Sequence, residues 1–565
     1  LAIGSMTDLQ TPVLIVGAGP VGLVGALDLA SRGVHVTIVE QRHAGEPPPV
    51  KCNHVSSRSM EILRRLGLAE AIRAAGLPHD YPNDVAFCTT VTGTEFSRIR
   101  IPSVDERSEP PAPDRPDTSW PTPEPPHRIN QLYLEPILFE HAAREPRISI
   151  LNRCLLEDID QTDDTVVARV RNLDSGEMFT IDADYAIGCD GARSTARRKI
   201  GAKFVGEAEI ARNLSSFIRA PDLLGMISAK RKPSWMSQAI NSRRAGNAIA
   251  IDGKELWLIH CRVKSHETDF AMIDRDRAIR DVLGVDEHFE YELLTKEDWI
   301  ARRLVADRMR KGRIFLCGDS AHIWIPVAGY GMNCGIADAT GLTWMLAAVL
   351  NGWAPPSILD AFERERHPIT EQVSRFVAEL GVQLVRRRNE PPERIEQEGS
   401  EGESVRARFG QEMYDMNVGQ YCCGGLNFGY FYDGSPLIFY DGEAHPSYTM
   451  ASFTPSTVPG CRLPHVWLGD GRSIYDVLGP EYTLLRFNPA LDVRGLVDAA
   501  AAEGFPLTVV DADASQHDVL CKYSLLIVRP DRHIAWRGFD LVQPPADMIA
   551  RLRGDRSSAE AQAAA

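Results

Sequence analysis

Three glycine-bearing turns, far apart in the chain, carry residue types whose spacing suits the holding of a phosphorylated ligand. The first, Gly17-Ala18-Gly19-Pro20-Val21-Gly22, lies between an apolar β-rich run, Val13 to Val16, and a run with helical spacing, Leu23 to Ser31. A Gly-x-Gly-x-x-Gly turn in that context lets backbone approach a pyrophosphate, while the helix N-terminus offers free N–H groups and partial positive charge. The next buried run, Val34 to Val39, ends on Glu40, an acid placed to accept hydrogen bonds from an adenosine ribose. Strand, turn, helix, strand and terminal acid together predict a dinucleotide site. They leave open which dinucleotide.

The other two turns narrow the choice. Gly188-Cys189-Asp190-Gly191-Ala192-Arg193-Ser194 follows the strand-like Asp184 to Cys189, and Gly318-Asp319-Ser320-Ala321-His322 follows Arg313 to Cys317. The latter runs on through Pro326 into Gly329-Tyr330-Gly331-Met332-Asn333-Cys334-Gly335, which opens a helix to about Leu350. An aspartate at a strand's end can hold a ribityl hydroxyl, and N–H groups at a helix start can stabilise negative charge on a flavin's pyrimidine edge. As a set, these motifs resemble the class A flavoprotein aromatic hydroxylases, the group with the para-hydroxybenzoate hydroxylase fold, over roughly residues 10 to 385.

That resemblance implies FAD as cofactor and NADPH or NADH as transient electron donor. It implies that Gly17, Gly19, Gly22 and Glu40 hold the ADP half, with Arg42 and Arg58 near the phosphates or ribose. Gln131, within Asn130-Gln131-Leu132-Tyr133-Leu134-Glu135, matches a cofactor-contacting glutamine, and Leu155 would offer backbone to the adenine. Asp319 would bind the ribityl chain, Gly331, Met332 and Asn333 would line the pyrimidine end, and Asp190 would serve both FAD and the incoming nicotinamide nucleotide. No second Gly-x-Gly-x-x-Gly is present, as expected for a nucleotide bound transiently in a groove. The implied reaction is hydroxylation of a small phenolic aromatic by O2 through a flavin C4a-hydroperoxide.

Phenolate reacts better than phenol, whose pKa near 10 is too high at neutral pH, so a proton-handling residue is expected beside the substrate. Counted back from Arg58, the matching slot is Asn53, which is no base but can hydrogen-bond to substrate; His54, one place on, has a suitable ordinary pKa. Pro326 is expected beside the ring over the substrate, and His322 in a structural or cofactor-side role. Two other readings share the scaffold: a flavin halogenase or oxidase, and a polyketide-tailoring oxygenase acting by epoxidation or Baeyer–Villiger chemistry. The Trp-x-Trp-x-Ile-Pro segment of halogenases is absent.

The elements that must position these residues read as an α/β chain: a Rossmann-like FAD-binding domain, an interleaved β-sheet substrate domain and a C-terminal thioredoxin-like domain. Expected boundaries are 10–75, 128–200 and 305–385 for the first, 76–127 and 201–304 for the second, a linker over 386–424, and 425–555 for the third. The last rests on a further resemblance, to the phenol hydroxylase branch, carried by Pro464-His465, Asp470-Gly471-Arg472-Ser473, Val528-Arg529-Pro530-Asp531 and Ala535-Trp536-Arg537-Gly538. With only Cys461 and Cys521, that block lacks the Cys-x-x-Cys pair needed for disulfide exchange, so packing and homodimer contacts are its expected roles. Ile101 to Pro126 holds nine prolines and is expected as a long exposed loop, with a lid or partner-contact role as the alternative.

Composition excludes several classes. A net charge of −15 repels phosphate backbones, arguing against nucleic acid as a partner. No run of about 18 apolar residues indicates a membrane span. Eleven scattered cysteines, including the adjacent Cys422-Cys423, argue against a disulfide framework and for a reducing cytoplasm. Leu1 to Ser5, ahead of Met6, reads as an extraneous leader rather than a signal peptide.

Overall fold

The structure, a computed structural model, describes residues 9–108, 116–118, 120–513 and 516–555. The leader Leu1–Ser5 and part of the proline-rich stretch (109–115 and 119) lie outside the described residues. Among the described residues the chain builds three sheets. The first is mainly parallel, in the order Arg310–Lys311, Ile314–Leu316, Met178–Gly188, Leu9–Val16, Val36–Glu40, Ile148–Asn152. A hairpin, Cys154–Gln161 with Val166–Asn172, pairs onto its Met178–Gly188 strand. Its strands are continuous apolar runs because both faces are covered: Val13, Leu14 and Ile15 are fully buried, and Pro20–Ser31 packs against Gly331–Leu350 on one side.

Register explains why the three turns meet. Val16 stands opposite both Val39 and Gly188, and Gly188 stands opposite Leu316, so the strands end level with one another. Backbone bonds from Gly17 N to Val39 O (2.8 Å), Cys189 N to Val16 O (2.8 Å) and Cys317 N to Gly188 O (3.0 Å) tie the exits together. The glycine elbow, Asp190 and Asp319 therefore share the carboxyl edge of one parallel sheet, where open α/β sheets bind ligands.

The second sheet has eight strands, running from His322–Trp324 through Glu292–Ala306, Phe204–Arg219, Leu256–Arg262, Gly246–Ala250, Met236–Ala239 and Val85–Cys88 to Glu95–Ile99. Because His322–Trp324 pairs with Arg303–Val305, the segment after Asp319 enters this sheet directly, and the Pro326 loop lies where the two sheets join. The stretch 386–424, expected as a linker, is instead largely helical and packed. Asp360–Asn389 runs into it, and Ser400–Tyr421 lies on the second sheet with the Phe409 and Phe96 rings 5.7 Å apart. The apolar Phe409, Met413 and Tyr421 on that helix are buried, a periodic stripe masked in the sequence by the surrounding charge.

The third sheet begins only at Tyr482, later than the expected start at 425. Its order is Leu507–Asp511, Tyr482–Arg486, Leu525–Val528, Ile534–Gly538, a parallel βαβ unit followed by an antiparallel pair and the Pro545–Leu552 helix, as in a thioredoxin-like domain. Between Gly429 and Ser473 the chain is irregular, with Tyr430 and Tyr432 buried against the Pro326 loop cluster. Tyr482, Leu484 and Trp536 join the same apolar cluster as the FAD-side helices, and Arg529 makes a two-point ion pair with Glu365 at 2.6 and 2.7 Å. Every cysteine is free, and Cys461 is buried while Cys521 is exposed. The Val327–Leu350 segment is long and apolar enough to cross a membrane, but it is mostly buried inside the protein as a core helix.

Candidate active site

At the glycine elbow each glycine has a different reason. Gly17 holds φ +104, and a Cβ there would come 2.4 Å from Cys189 O; one on Gly22 would come 2.0 Å from Gly17 O. Around Gly19 no atom lies within 4 Å of a would-be Cβ. The helix behind it starts with proline and has no side-chain cap, so its first N–H groups face open space. That is a cradle shaped for a pyrophosphate.

Beside it, Glu40 accepts from Ala18 N at 2.7 Å and from Arg42 N and Nε at 3.0 and 3.1 Å. Burial raises the Glu40 carboxyl, but the Arg42 and Ala18 hydrogen bonds prevail and hold it below the usual range. Arg42 also donates to Glu135 at 2.6 Å, and Gln131 donates to the other oxygen of Glu135 at 2.7 Å. Leu155 follows closely, since Arg153 N donates to Arg42 O. Gly17, Gly19, Gly22, Glu40, Arg42, Gln131 and Leu155 are thus brought to one place.

Asp190 and Asp319 stand on the next two strand exits. One Asp190 oxygen caps the short helix at Thr195 N (2.6 Å) and Ala196 N (3.2 Å); the other, Oδ1, is buried with no partner. Asp319 is exposed at its strand exit, and the surrounding protein raises its carboxyl against the opposing pull of His322 and Lys51. The Gly331–Leu350 helix starts at Tyr330 without a side-chain cap, so the N–H groups near Gly331 and Met332 are unspent. These observations fit FAD: an open pyrophosphate cradle, a ribose acid, a cleft carboxylate for the ribityl chain and a free helix start for the ring's pyrimidine edge.

Two of the expected cofactor contacts spend their side chains on protein. Asn333 spends its side chain on protein, donating to His54 O (3.0 Å) and Gly329 O (2.7 Å) and accepting from Ser56 N (2.9 Å). It clamps the 54–56 segment to the 326–329 loop, leaving only its backbone for a ligand. Arg58 points away from the glycine elbow; its guanidinium lies 4.5 Å over the Tyr430 ring, against the C-terminal part of the chain.

On the substrate side, His54 is buried and its Nδ1 lies 2.7 Å from Arg128 Nη1. Burial first, then the positive charges of Arg128 and Arg107, push the imidazole well below its ordinary pKa, so it is neutral. With Nδ1 accepting from Arg128, Nε2 carries the proton. Arg128 is itself buried, 4.2 Å over the Trp235 ring. Asn53 accepts from Asn130 Nδ2, which leaves its amide as a donor. Pro326 is exposed, at the N-terminal end of the 327–329 turn in which Ala328 takes φ 60 and Gly329 lies against His54.

The proline-rich stretch is pinned rather than freely exposed where it is described. Asp117 is buried and paired with Arg107 and Trp120, Thr122 donates to Glu61, and Glu124 pairs with Arg64 and Arg73. From it Asp117 acts electrostatically on Arg128, and Arg107 on His54. His322 instead faces away into the core: Asp338 accepts from it at 2.7 Å and from Arg366 Nε at 3.0 Å. Burial lowers that imidazole but Asp338 prevails and raises it to about 10, so His322, Asp338 and Arg366 form a charged brace in the core. A cleft of about 970 Å³ lies elsewhere, between Thr90, Arg280 and Glu396.

Sequence reasoning missed Arg128, Glu135, Lys51 and Trp235. Arg128 and Glu135 flank the Asn130-Gln131 motif already singled out, and Lys51 precedes Asn53 by two places, so proximity in sequence was the available signal; Trp235 had none.

A parallel sheet with a glycine cradle and two strand-end aspartates at its carboxyl edge fits a flavin-dependent oxidoreductase. Comparison with known proteins gives the family. A profile described as FAD binding domain matches residues 10–377, and one described as aromatic-ring hydroxylase, C-terminal, matches 456–554. The chain belongs to the FAD-dependent monooxygenases of the aromatic-ring hydroxylase family. It is 30% identical to the FAD-dependent monooxygenase apdD of Emericella nidulans over 95% of this chain and 89% of that protein. It is 28% identical to a phenol 2-monooxygenase of a Pseudomonas species, over 95% of this chain and 91% of that one. Among solved structures, the rebeccamycin biosynthetic enzyme RebC with reduced flavin superposes with a TM-score of 0.86 at 31% identity, covering 97% of this chain and 100% of that one.

Proposed function

We propose that this enzyme hydroxylates a phenolic aromatic substrate, using O2 and a reduced nicotinamide, with His54 and Arg128 handling the phenol's charge. Bound FAD would supply the redox chemistry, passing two electrons from NADH or NADPH to O2. The observation that carries the reading is the buried His54–Arg128 pair beside the Pro326 loop. A neutral imidazole with its proton on Nε2 can donate to a phenolic oxygen, and the Arg128 charge behind it favours the phenolate. The pair thus promotes loss of the phenol's proton without His54 acting as a strong base. Asn53 offers a second donor from its amide. His54 and Arg128 are themselves buried, and keeping water from this end would protect the oxygenating step from uncoupling.

The residues proposed to hold FAD are Gly17, Gly19, Gly22, Glu40, Arg42 and Gln131 at the ADP end, and Asp190, Asp319 and the N–H groups of Gly331 and Met332 toward the ring. A second reading, a polyketide-tailoring oxygenase acting by epoxidation or Baeyer–Villiger chemistry, is favoured by the 30% identity to a putative polyketide hydroxylase of Streptomyces halstedii against 28% to the phenol enzyme. Eleven free cysteines support work in a reducing cytoplasm, and we place the enzyme there as a homodimer. The test is NADH and NADPH oxidation against a panel of simple phenols and polycyclic phenols, with O2 and H2O2 followed together. Consumption coupled to a hydroxylated simple phenol supports the main reading; coupling with polycyclic members alone supports the second; peroxide with every compound refutes both.

A further inference from the structure

Two arginines, Arg262 at the end of the Leu256–Arg262 strand and Arg388 near the end of the Asp360–Asn389 helix, stand close enough to repel one another. Arg262 is pushed down to about 9, by burial first and then by the Arg388 charge. Burial also lowers Arg388, and the group opposing it is the Tyr421 phenol, not a carboxylate. Among the described residues neither arginine is in an ion pair. The arginines beside them in sequence have taken the nearby acids: Arg243 holds Glu396, Arg244 holds Glu267 and Arg387 holds Glu412. Arg388 is 8% exposed, and its Nε and the Nη1 of Arg262 are both buried with no hydrogen-bond partner. Keeping two like charges buried together is costly unless an anion joins them.

Their place in the fold says which anion. Side chains alternate along a strand, so Arg262 shares a sheet face with His260, which stands opposite Asn247 and Ser215. The Arg275–Leu283 helix packs on the other face, where its Asp281 acts on Cys261. Two chains of contact join the arginines to the His54–Arg128 pair. In one, Arg388 Nη2 and Gln420 Nε2 both donate to Asn417 Oδ1, at 2.6 and 2.7 Å, and Ala328 N donates to Gln420 Oε1 at 3.5 Å, in the turn whose Gly329 lies against His54. In the other, Tyr421 stands edge-on to Trp235 at 6.3 Å, and Trp235 carries Arg128 at 4.2 Å over its ring.

We propose, resting on the hydroxylase reading of this site, that the aromatic substrate carries a carboxylate, which Arg262 and Arg388 receive while its phenol lies at His54. A guanidinium meets the two oxygens of a carboxylate in one plane, and one anion between two such cations removes their repulsion. Water would satisfy the N–H groups but leave the charges. A phenol with no acid group leaves them too, so the pair selects against it.

The test is calorimetric titration of the FAD-loaded protein with phenols of one to four rings that bear a carboxylate, each matched with its primary amide. At least one acid should bind about 10- to 150-fold more tightly than its amide. In Arg262→Gln that acid should fall to the affinity of the amide, while the amide's own affinity stays in place. The wild-type comparison stands whether or not the variant folds. Binding is read apart from turnover, so an acid that is preferred but never hydroxylated upholds the anion site and refutes the hydroxylase reading. Hydroxylation of phenols with no acid bound more tightly than its amide, or a preference that survives in Arg262→Gln, would overturn the proposal and leave that reading intact.

Discussion

Alanine at Gly19 and at Gly22 should behave in opposite ways, though both lie in one turn. A methyl on Gly19 meets no atom within 4 Å, and φ −74 with ψ 175 suits alanine. Restricting the unfolded chain adds about 0.4–1 kcal/mol of stability. Alanine's poor capping at that position removes a similar amount, up to about 1 kcal/mol. Apoprotein stability should therefore change by less than about 1 kcal/mol. The same methyl projects into the space over the helix start. Losing one charge-assisted hydrogen bond to a pyrophosphate there costs about 1.5–3 kcal/mol, a roughly 10- to 150-fold weaker FAD affinity. Gly22→Ala puts its Cβ 2.0 Å from Gly17 O, so the turn must open, and the apoprotein should lose about 2 kcal/mol or more. Urea unfolding of the apoproteins reads the first quantity, and quenching of FAD fluorescence the second. Unchanged FAD affinity in Gly19→Ala, or a stability loss equal to that of Gly22→Ala, would refute the reasoning.

Other consequences are equally open to measurement. Asp338→Asn removes the anion between His322 and Arg366, both 1% exposed in side chain, and should cost about 3–5 kcal/mol in urea unfolding. Asn333→Ala breaks three buried hydrogen bonds and should cost about 2–4 kcal/mol; NADPH oxidation and H2O2 release, measured together, should show looser coupling as the 54–56 segment comes free. His127 and His260 are both pushed down to about 4, chiefly by burial. Since the unfolded chain protonates them below about 6.5, stability is full above that pH and falls toward 4 by roughly 3 kcal/mol for each group. Urea titrations at stepped pH should show that decline, and a flat profile between pH 7 and 4.5 would contradict it.

The sequence was most legible where local chemistry and tertiary role coincide. The elbow at Gly17–Gly22 needs its glycines for backbone reasons that any occupant would share, and Glu40 and Asp319 end strands whose apolar runs declare themselves. The side-chain partner of Arg58, the Tyr430 ring, is 372 residues away by number, so no local pattern announced it. The use of the Asn333 amide was not legible, because an amide at a helix start can serve a ligand or the chain's own carbonyls, and here Gly329 O and His54 O take it. The helix Ser400–Tyr421 was hidden by its charge, since a narrow buried stripe is enough to dock it on the Glu95–Ile99 strand. The His54–Arg128 pair joins residues 74 apart, a contact that no local pattern encodes.

The central claim is that this protein places an oxygen atom from O2 on an aromatic ring held beside His54 and Arg128. Turnover under 18O2 of a phenol that stimulates NADH or NADPH oxidation, with product mass read by mass spectrometry, tests it most directly. The account predicts one labelled oxygen in the product, with label incorporation falling in Arg128→Met as peroxide release rises. A hydroxylated product whose new oxygen comes from water, or label incorporation indifferent to Arg128, would contradict it.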